Sequence, residues 1–478
     1  MLTPGAPMQH HGNMSAREGK PAAAPAVAMS PSPILEDSMD GYHAWMLMSA
    51  SLVLLMTTPG LALFYGGMTR TKSVLNMMMM SFGAMGVVGI IYVLYGYSMS
   101  FGSENIAGII ANPFEKFGLA NTDSIINPFG YEGYGNIPEL AFVGFQLTFA
   151  AITVALISGA LADRVKFSTW LVFAGLWVTF AYFPIAQGGL AAAVYGVTDG
   201  IANVVPIDFA GGTVVHINAG IAGLVLALVV GQRIGFGKVA MRPHNVPLTM
   251  IGAGLLWFGW FGFNAGSELA ADETAALVWV NTTAATCAAI VGWLVVEKVR
   301  DGHATSVGLQ HAAVAGLAAV TPACGALSPL GSLVLGVVAG ALAALAVGLK
   351  FKLGYDDSLD VVGVHLVAGL WGTIGAGLLA TSTGLFYGGG IDQLVVQILV
   401  ALATLVISGV VTLVIALALK ATIGWRVPED VEIAGIDGSE HAESAYDMNT
   451  RGGRMGVSGF GSGDSEAAPA KNLEGAKS

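Results

Sequence analysis

Eleven hydrophobic segments follow one another along this 478-residue chain, each near the roughly 20 residues that a helix needs to cross a bilayer. Hydrophobic residues make up 54% of the sequence and charged residues 11%, whereas soluble proteins carry about 25% charged residues. The composition predicts an all-α polytopic membrane protein with eleven transmembrane helices. Their approximate limits are 42–67, 73–101, 138–162, 168–189, 208–231, 246–267, 274–296, 305–322, 330–350, 361–381 and 394–419.

Lysine and arginine are distributed unevenly between the loops that join these segments. Short cytoplasmic loops of membrane proteins collect such side chains. The opposite loops hold only Lys116, and an odd number of spans then predicts a multi-pass protein of the cell membrane with its amino terminus outside and its carboxyl terminus in the cytoplasm. The basic residues of the alternate loops are Arg70, Lys72, Arg164, Lys166, Arg233, Lys238, Arg242, Lys298, Arg300, Lys350 and Lys352.

The two ends of the chain differ in composition from the hydrophobic part. Residues 1–40 are rich in Pro, Ala, Ser and Met without apolar periodicity, which predicts a disordered extracytoplasmic extension. The transmembrane domain is predicted at 41–422, a cytoplasmic tail at 423–450, and a disordered Gly, Ser and Ala-rich extension at 451–478. The net charge of -11 comes largely from the tails and loops and argues against a nucleic-acid partner.

One ionisable residue, His216, lies in the middle of the fifth hydrophobic segment. A charged side chain at bilayer depth costs roughly 2.5 to 3.5 kcal/mol or more, so the default interpretation is functional. Gly212, Gly220 and Gly223 share its helix face, because steps of three and four residues return to the same side. Taken singly, His216 could also be a buried histidine bonded to a neighbouring helix.

The same pattern recurs in the tenth segment, where His365 is followed by Gly369 and Gly372 and preceded by Asp360. Both copies read His-x-x-x-Gly-x-x-Gly. Five spans in each copy predict two inverted five-helix repeats plus an eleventh helix, an architecture of transporters whose substrate path lies at the repeat interface. The two histidines are therefore expected to meet near the middle of the membrane.

The chemistry available to such a pair is limited. No cysteine or carboxylate accompanies the histidines at depth, so a zinc site is disfavoured and no metal or other cofactor is expected. The imidazoles can exchange hydrogen bonds or pass a proton. Asp208 is interpreted mainly as a cap of the free amides that open its helix, with direct contact to a substrate as the alternative. Five aromatic residues are either gates or simply core, and spacing alone favours core: Phe145, Phe149, Trp260, Phe261 and Phe263.

Several longer runs resemble the ammonium transporter family (Amt/Mep/Rh) over residues 42 to about 448. They begin at Asp208 (Asp-Phe-Ala-Gly-Gly-Thr-Val-Val-His-Ile-Asn-Ala-Gly), at Gly259 (Gly-Trp-Phe-Gly-Phe-Asn-Ala-Gly-Ser), at Asp360 (Asp-Val-Val-Gly-Val-His), at Pro59 (Pro-Gly-Leu-Ala-Leu-Phe-Tyr-Gly-Gly) and at Trp425 (Trp-Arg-Val-Pro-Glu). The runs are closer to the bacterial branch than to the Rhesus proteins.

The resemblance implies a homotrimer with one pore per subunit. It implies a gate, a recruitment site beside it, a pore histidine pair and a structural residue of the outer vestibule. It also implies that the tail around Trp425 couples the subunits and helps present them to a PII-type regulator, whereas its composition alone fits a solvated acidic segment. The implied residues are Phe149 and Phe263 (gate), Phe145, Trp260 and Ser267 (pore and recruitment), His216 and His365 (histidine pair) and Asp208 (vestibule).

One departure from the family pattern lies at the end of the fourth segment. A tryptophan usual in bacterial members is missing there: Pro184-Ile-Ala-Gln187 runs directly into Gly188, and Tyr195 is a possible substitute.

The function that this resemblance implies is ammonium transport, with methylammonium as an analogue. An apolar pore penalises permanent cations such as potassium, so ammonium is expected to lose its proton outside the gate and to cross as ammonia. The alternatives are a Rhesus-type gas channel and an ammonium sensor that acts through a cytoplasmic partner. An enzyme is disfavoured, because no nucleophile or carboxylate joins the histidines at depth.

Overall fold

The computed structural model describes residues 33–106, 110–128, 136–188 and 204–446, which contain ten helices long and apolar enough to span a membrane. The polytopic helical fold expected from the sequence is confirmed. These ten, with one shorter helix, form in chain order α1 (Asp40–Met68), α2 (Thr71–Phe101), α3 (Glu139–Leu161), α4 (Phe167–Gln187), α5 (Gly212–Val230), α6 (Val246–Glu268), α7 (Glu273–Asp301), α8 (Ser306–Val320), α9 (Pro329–Leu353), α10 (Val362–Leu379) and α11 (Asp392–Thr422).

The eleven-helix prediction is only partly met, because α8 is shorter than a full span. Its 15 residues would measure about 22 Å at 1.5 Å per residue, against a hydrocarbon thickness of about 30 Å. Pro322 has no backbone N–H to continue the helix, and residues 321–327 fold back into the bundle as turns. The helical backbone of α1 starts at Pro33, earlier than hydrophobicity indicated. Residues 1–32 and 447–478 lie outside the described part of the chain.

Two short antiparallel hairpins cover the end of the bundle between α2 and α3. Strands β1 (Asn105–Ile106) and β2 (Ile110–Ala111) pair through Asn105 with Ala111, and β3 (Ile125–Ile126) pairs with β4 (Ile137–Pro138). The Lys116 side chain pairs with the buried carboxylate of Glu139 at the start of α3. This ion pair fixes the loop to the helix bundle.

The loops rich in lysine and arginine meet at one end of the bundle, here called the basic face. Arg233, which follows α5, donates to both carboxylate oxygens of Asp356 at 2.9 Å and contacts Asp163 at 3.2 Å. Burial alone would lower the pKa of Arg233, but the two aspartates outweigh it and raise this pKa. Burial alone would raise the pKa of Asp356, but Arg233 outweighs it and lowers that pKa. The cluster ties the loop after α3, the loop after α5 and the loop before α10 together.

The two halves of the bundle are related most clearly at α5 and α10. Each opens with a π-helical turn, Gly212–Ile217 and Val362–Val367, that carries its histidine. Each N-terminus is capped by an aspartate eight residues before the histidine. Asp208 accepts from the amide of Thr213 at 3.0 Å, and Asp357 accepts from that of Val362 at 2.7 Å.

Asp360, the aspartate identified before His365 in the sequence, does not cap α10. It directly precedes the helix, but its backbone is left-handed, with a φ of 65°, and its carboxylate pairs with Lys350 instead. Burial raises the pKa of the capping Asp357 above its usual range.

The glycines of α6 let it lie directly against α1. A Cβ on Gly252 would come 2.2 Å from the amide nitrogen of Phe64, and one on Gly259 would come 2.6 Å from the carbonyl oxygen of Leu52. Close backbone approach through small residues is a usual packing mode of membrane helices. Pro59 lies inside the π-helical turn Met56–Leu61 of α1.

The tail that follows α11 folds back onto the basic face. It contains the short helices α12 (Glu429–Ala434) and α13 (Asp437–Glu440). The Asp437 carboxylate accepts from the amides of Leu75 and Asn76 near the start of α2, at 3.1 and 2.9 Å, and Glu440 accepts from that of Phe167 at the start of α4. The described tail is thus anchored by helix capping of two spans.

Candidate functional site

His216 and His365 face each other in the interior of the bundle. Their Nδ1 atoms are 3.3 Å apart, and both side chains are buried, with 0% and 2% exposure. A hydrogen bond between two Nδ1 atoms needs one proton, so one ring keeps a free Nε2 acceptor and the other presents an Nε2–H donor. The Nε2 atom of His216 has no partner among the described residues. The pair is therefore able both to donate and to accept along the space beside it.

The glycine one turn after each histidine explains how close the two helices come. A Cβ on Gly220 would lie 2.6 Å from the backbone nitrogen of Leu366, the neighbour of His365. A Cβ on Gly369 would lie 2.9 Å from the Cβ of His216. The repeated His-x-x-x-Gly pattern is thus explained by helix packing. Each glycine leaves room for the helix that carries the other histidine.

Aromatic rings continue the row from the histidines toward the face opposite the basic one. The rings of Phe149 and Phe263 stack with centroids 4.2 Å apart and planes 28° apart. Phe145 meets Phe149 edge-on at 4.8 Å, and Phe263 lies 6.0 Å from the His216 ring. Phe149 is 3% and Phe263 1% exposed, so the stacked pair is buried between that face and the histidines.

Trp260 lies beside the histidine pair, with its ring 5.5 Å from that of His216 and 20° from parallel to it. Its indole Nε1–H donates to the Thr321 hydroxyl at 3.0 Å, and that hydroxyl donates to the Leu317 carbonyl at 2.8 Å. The polar edge of the indole is therefore satisfied by the turn after α8, and its apolar face remains toward the imidazole.

Ser267 and Asp208 lie beyond the stacked phenylalanines on the side away from the basic face. The Ser267 hydroxyl donates to the Phe263 carbonyl at 2.7 Å, so the serine and the Phe263 ring share one turn of α6. Asp208 uses its carboxylate to cap α5. Tyr195, named as a possible substitute for the missing tryptophan, lies outside the described residues. Gly188 ends α4 with a φ of 70°, a left-handed conformation that a tryptophan would not adopt readily.

Two polar residues near the site escaped the sequence analysis. Asp357 was overlooked, although the eight-residue spacing shared by Asp208 and His216 with Asp357 and His365 was available as a signal. His311 lies near the start of the eighth hydrophobic segment, 305–322, yet it is 3% exposed and lies 3.5 Å from Asp360. Among the described residues, no group of three or more His, Cys, Asp or Glu side chains is arranged to hold a metal ion.

The bundle of membrane-spanning helices and the buried histidine pair define a multi-pass membrane protein of transporter architecture. A family model described as the Ammonium Transporter Family matches residues 44–446, most of the chain. The chain therefore belongs to the ammonium transporter family.

Curated relatives agree with this assignment. An ammonium transporter of Mycobacterium tuberculosis (strain ATCC 25618 / H37Rv) is 53% identical over 452 residues, covering 88% of this chain and 94% of the relative. One of Aquifex aeolicus is 46% identical over 418 residues, covering 85% and 94%.

Solved structures show the same fold. The crystal structure of Candida albicans Mep2 superposes with a TM-score of 0.73 at 30% identity, covering 83% of this chain and 88% of that one. A structure titled "Sensor Amt Protein" superposes with a TM-score of 0.76 at 26% identity, covering 85% and 99%.

Proposed function

We propose that this protein takes up ammonium by conducting it through each subunit as ammonia. Ammonium is recruited near Ser267 and Phe145, gives its proton to water before the Phe149 and Phe263 gate, and crosses as ammonia past Trp260 and the histidines. The observation that carries the proposal is the buried Nδ1 to Nδ1 contact of 3.3 Å directly behind the stacked phenylalanines.

The apolar gate accounts for discrimination against potassium. An unpaired ion pays a large cost in a space lined by hydrocarbon and aromatic rings, and potassium has no proton to leave behind. Ammonia is neutral and small, so its transfer costs only the free energy of the hydrogen bonds that it loses to water. The histidine pair replaces those bonds, because it offers one donor and one acceptor nitrogen.

The sidedness and assembly of the protein belong to the same proposal. The basic face is cytoplasmic by the distribution of lysine and arginine, so the gate faces outward. The protein forms a homotrimer with one pore per subunit. Its folded tail lies beside the cytoplasmic ends of α2 and α4, where a PII-type regulator would meet it.

Isotopic methylammonium uptake into a transport-deficient cell tests the proposal. Wild-type protein should restore uptake that ammonium inhibits, and His365→Ala should abolish the uptake or admit other monovalent cations, because the donor and acceptor pair is lost. Immunoblots of membrane fractions control for expression, and His303→Ala, outside the bundle interior, serves as the matched control. Selective uptake at the wild-type rate in His365→Ala would contradict the mechanism.

A sensor role is the second candidate, because one structural neighbour is titled a sensor. Here the cytoplasmic tail would report ammonium to a partner instead of regulating flux. The same assay separates the two functions: a pure sensor would bind ammonium, measured by calorimetry on the purified protein, without restoring methylammonium uptake.

A further inference from the structure

A third buried histidine, His311, lies between the histidine pair and the basic face. It belongs to α8, one and a half turns from the helix start, and its ring contacts those of Phe64 and Trp293 at centroid distances of 5.7 and 5.9 Å. The proposed conduction step makes no use of it. A histidine at 3% exposure among aromatic rings needs a physical explanation.

The hydrogen bonding of His311 leaves its outer nitrogen as an acceptor. The Nδ1 atom lies 2.8 Å from the carbonyl oxygen of Val307, which can only accept, so Nδ1 carries the ring proton of the neutral form. The Nε2 atom then has only a lone pair. It lies 3.5 Å from Oδ2 of Asp360, which is also an acceptor. Two acceptor atoms that face each other across this distance form a binding site for one proton.

Asp360 is held in position at this proton-binding site. Its backbone adopts a φ of 65°, a left-handed conformation that aspartate tolerates better than most residues. Its other oxygen, Oδ1, accepts from Lys350 at 2.7 Å, and Lys350 also donates to the Asp357 carbonyl at 3.0 Å. The positive charge of Lys350 balances the negative charge of Asp360. A proton on His311 would place a second positive charge on the other side of this carboxylate.

The site connects the interior with solvent. Asp360 precedes His365 by five residues, about 7.5 Å of helix rise, which places the His311 contact on the basic side of the pair. Asp360 and Lys350 also line a cavity of about 470 Å³ at the basic face, together with Arg300 and Lys352. A proton reaching Asp360 from solvent therefore has a short path to a buried imidazole.

We propose that His311 and Asp360 form a proton-exchange site at the inner end of the pore, which returns a proton to ammonia as it leaves. The inference rests on the proposed conduction of ammonia. The Nε2–H bond of protonated His311 breaks, the lone pair of ammonia takes the proton, and ammonium departs along the carboxylate of Asp360. A hydronium ion from the cavity then gives a proton to Nε2 and leaves as water, so charge and atoms balance without any redox step.

Several charged and titratable groups lie on the elements around α8. They are Tyr65 of α1, Glu297 of α7, Lys350 of α9, and Asp357, Asp360 and His365 around the start of α10.

The first test locates the ring proton of His311 on purified, ¹⁵N-histidine-labelled protein by NMR. His311→Gln identifies the resonances of His311 by their loss. We expect the neutral ring to carry its proton on Nδ1 and a lone pair on Nε2, and the Nε2 resonance to shift in Asp360→Asn, where the facing carboxylate is gone. A neutral ring protonated on Nε2, or an Nε2 resonance that ignores Asp360→Asn, overturns the inference.

The second test measures transport in right-side-out membrane vesicles whose internal pH is set during preparation. Methylammonium uptake by the wild type should depend on internal pH, whereas His311→Gln should be several-fold slower and lose that dependence. His244→Gln, which changes another histidine of the basic face, should behave like the wild type. Absence of uptake by the wild type would reject the proposed function itself, whereas wild-type behaviour of His311→Gln would reject only the role of this site.

Discussion

At the scale of single residues, the site depends on glycines, which have no side chain to keep neighbouring helices apart. Gly220 lets α5 approach the backbone of α10 beside His365, with 2.6 Å between its missing Cβ and the Leu366 nitrogen. We predict that Gly220→Ala pushes the helices apart, costs about 1 to 3 kcal/mol by overpacking, and reduces methylammonium uptake because the Nδ1 contact lengthens. Thermal unfolding in detergent and uptake in cells measure the two effects.

Gly86 in α2 is the matched control for this prediction, since a Cβ there meets nothing within 4 Å. Gly86→Ala should leave uptake unchanged and stabilise the helix by up to about 1 kcal/mol. Equal behaviour of the two variants would mean that the glycine does not set the distance between the histidines.

At the scale of secondary-structure elements, helix ends organise the molecule. Asp208, Asp357 and Asp437 each satisfy free amides at the start of a span, and each is buried. A carboxylate at a helix N-terminus both accepts from these amides and complements the helix dipole. One such cap joins the tail to α2, although the two are far apart in the sequence.

The Asp437 cap leads to a prediction about the tail. Asp437→Ala should weaken docking of the tail by about 0.5 to 2 kcal/mol and speed its cleavage in limited proteolysis of membranes, because the amides of Leu75 and Asn76 lose their acceptor. Asp430→Ala, at an exposed position of α12, should be cleaved like the wild type. Unchanged cleavage of Asp437→Ala would show that the remaining contacts, among them Glu432 with Arg426, suffice.

At the scale of the whole molecule, the described tail is part of the folded protein. Glu432 and Asp437 are 1% and 2% exposed, Glu432 accepts from the Ile234 amide at 2.7 Å, and Trp425 donates to the Ala416 carbonyl at 2.9 Å. This burial is unlike a solvated acidic segment, which was the alternative interpretation of the sequence. The coupling of three subunits through the tail remains a proposal.

Two truncations test that proposal. Ending the chain after Ile423 removes the docked helices and should lower uptake in every subunit of the trimer, because the loops of the basic face lose their buried partners. Ending it after Thr450 should leave uptake near normal, since the residues beyond are too polar and glycine-rich to bury much surface. The measurement is uptake normalised to the amount of protein in the membrane. Equal activity of the two truncations would remove the coupling role of the tail. Loss of uptake in the chain that ends after Thr450 would refute the prediction that residues 451–478 are a disordered extension.

The sequence by itself determined the features that depend on local composition. Apolar segments of bilayer length specify spanning helices wherever they occur, and a histidine amid such a segment stands out because burial of an ionisable group is costly. The repeated His-x-x-x-Gly pattern indicated the inverted halves, and the position of Asp208 before its helix indicated a cap. Resemblance to a family with specific motifs singled out Phe149 and Phe263 as the proposed gate, whereas spacing alone left them indistinguishable from core.

Only the tertiary structure decided which groups meet across the bundle. The cap of α10 is Asp357 and not Asp360, because reaching a free amide depends on backbone geometry that the residue type does not reveal. His311 lies near the start of the eighth hydrophobic segment, but α8 is short and enclosed, so even this position is buried. The stacking of Phe149 on Phe263 and the contact of His311 with Asp360 arise from packing between distant segments, which depends on the shapes of all the helices together.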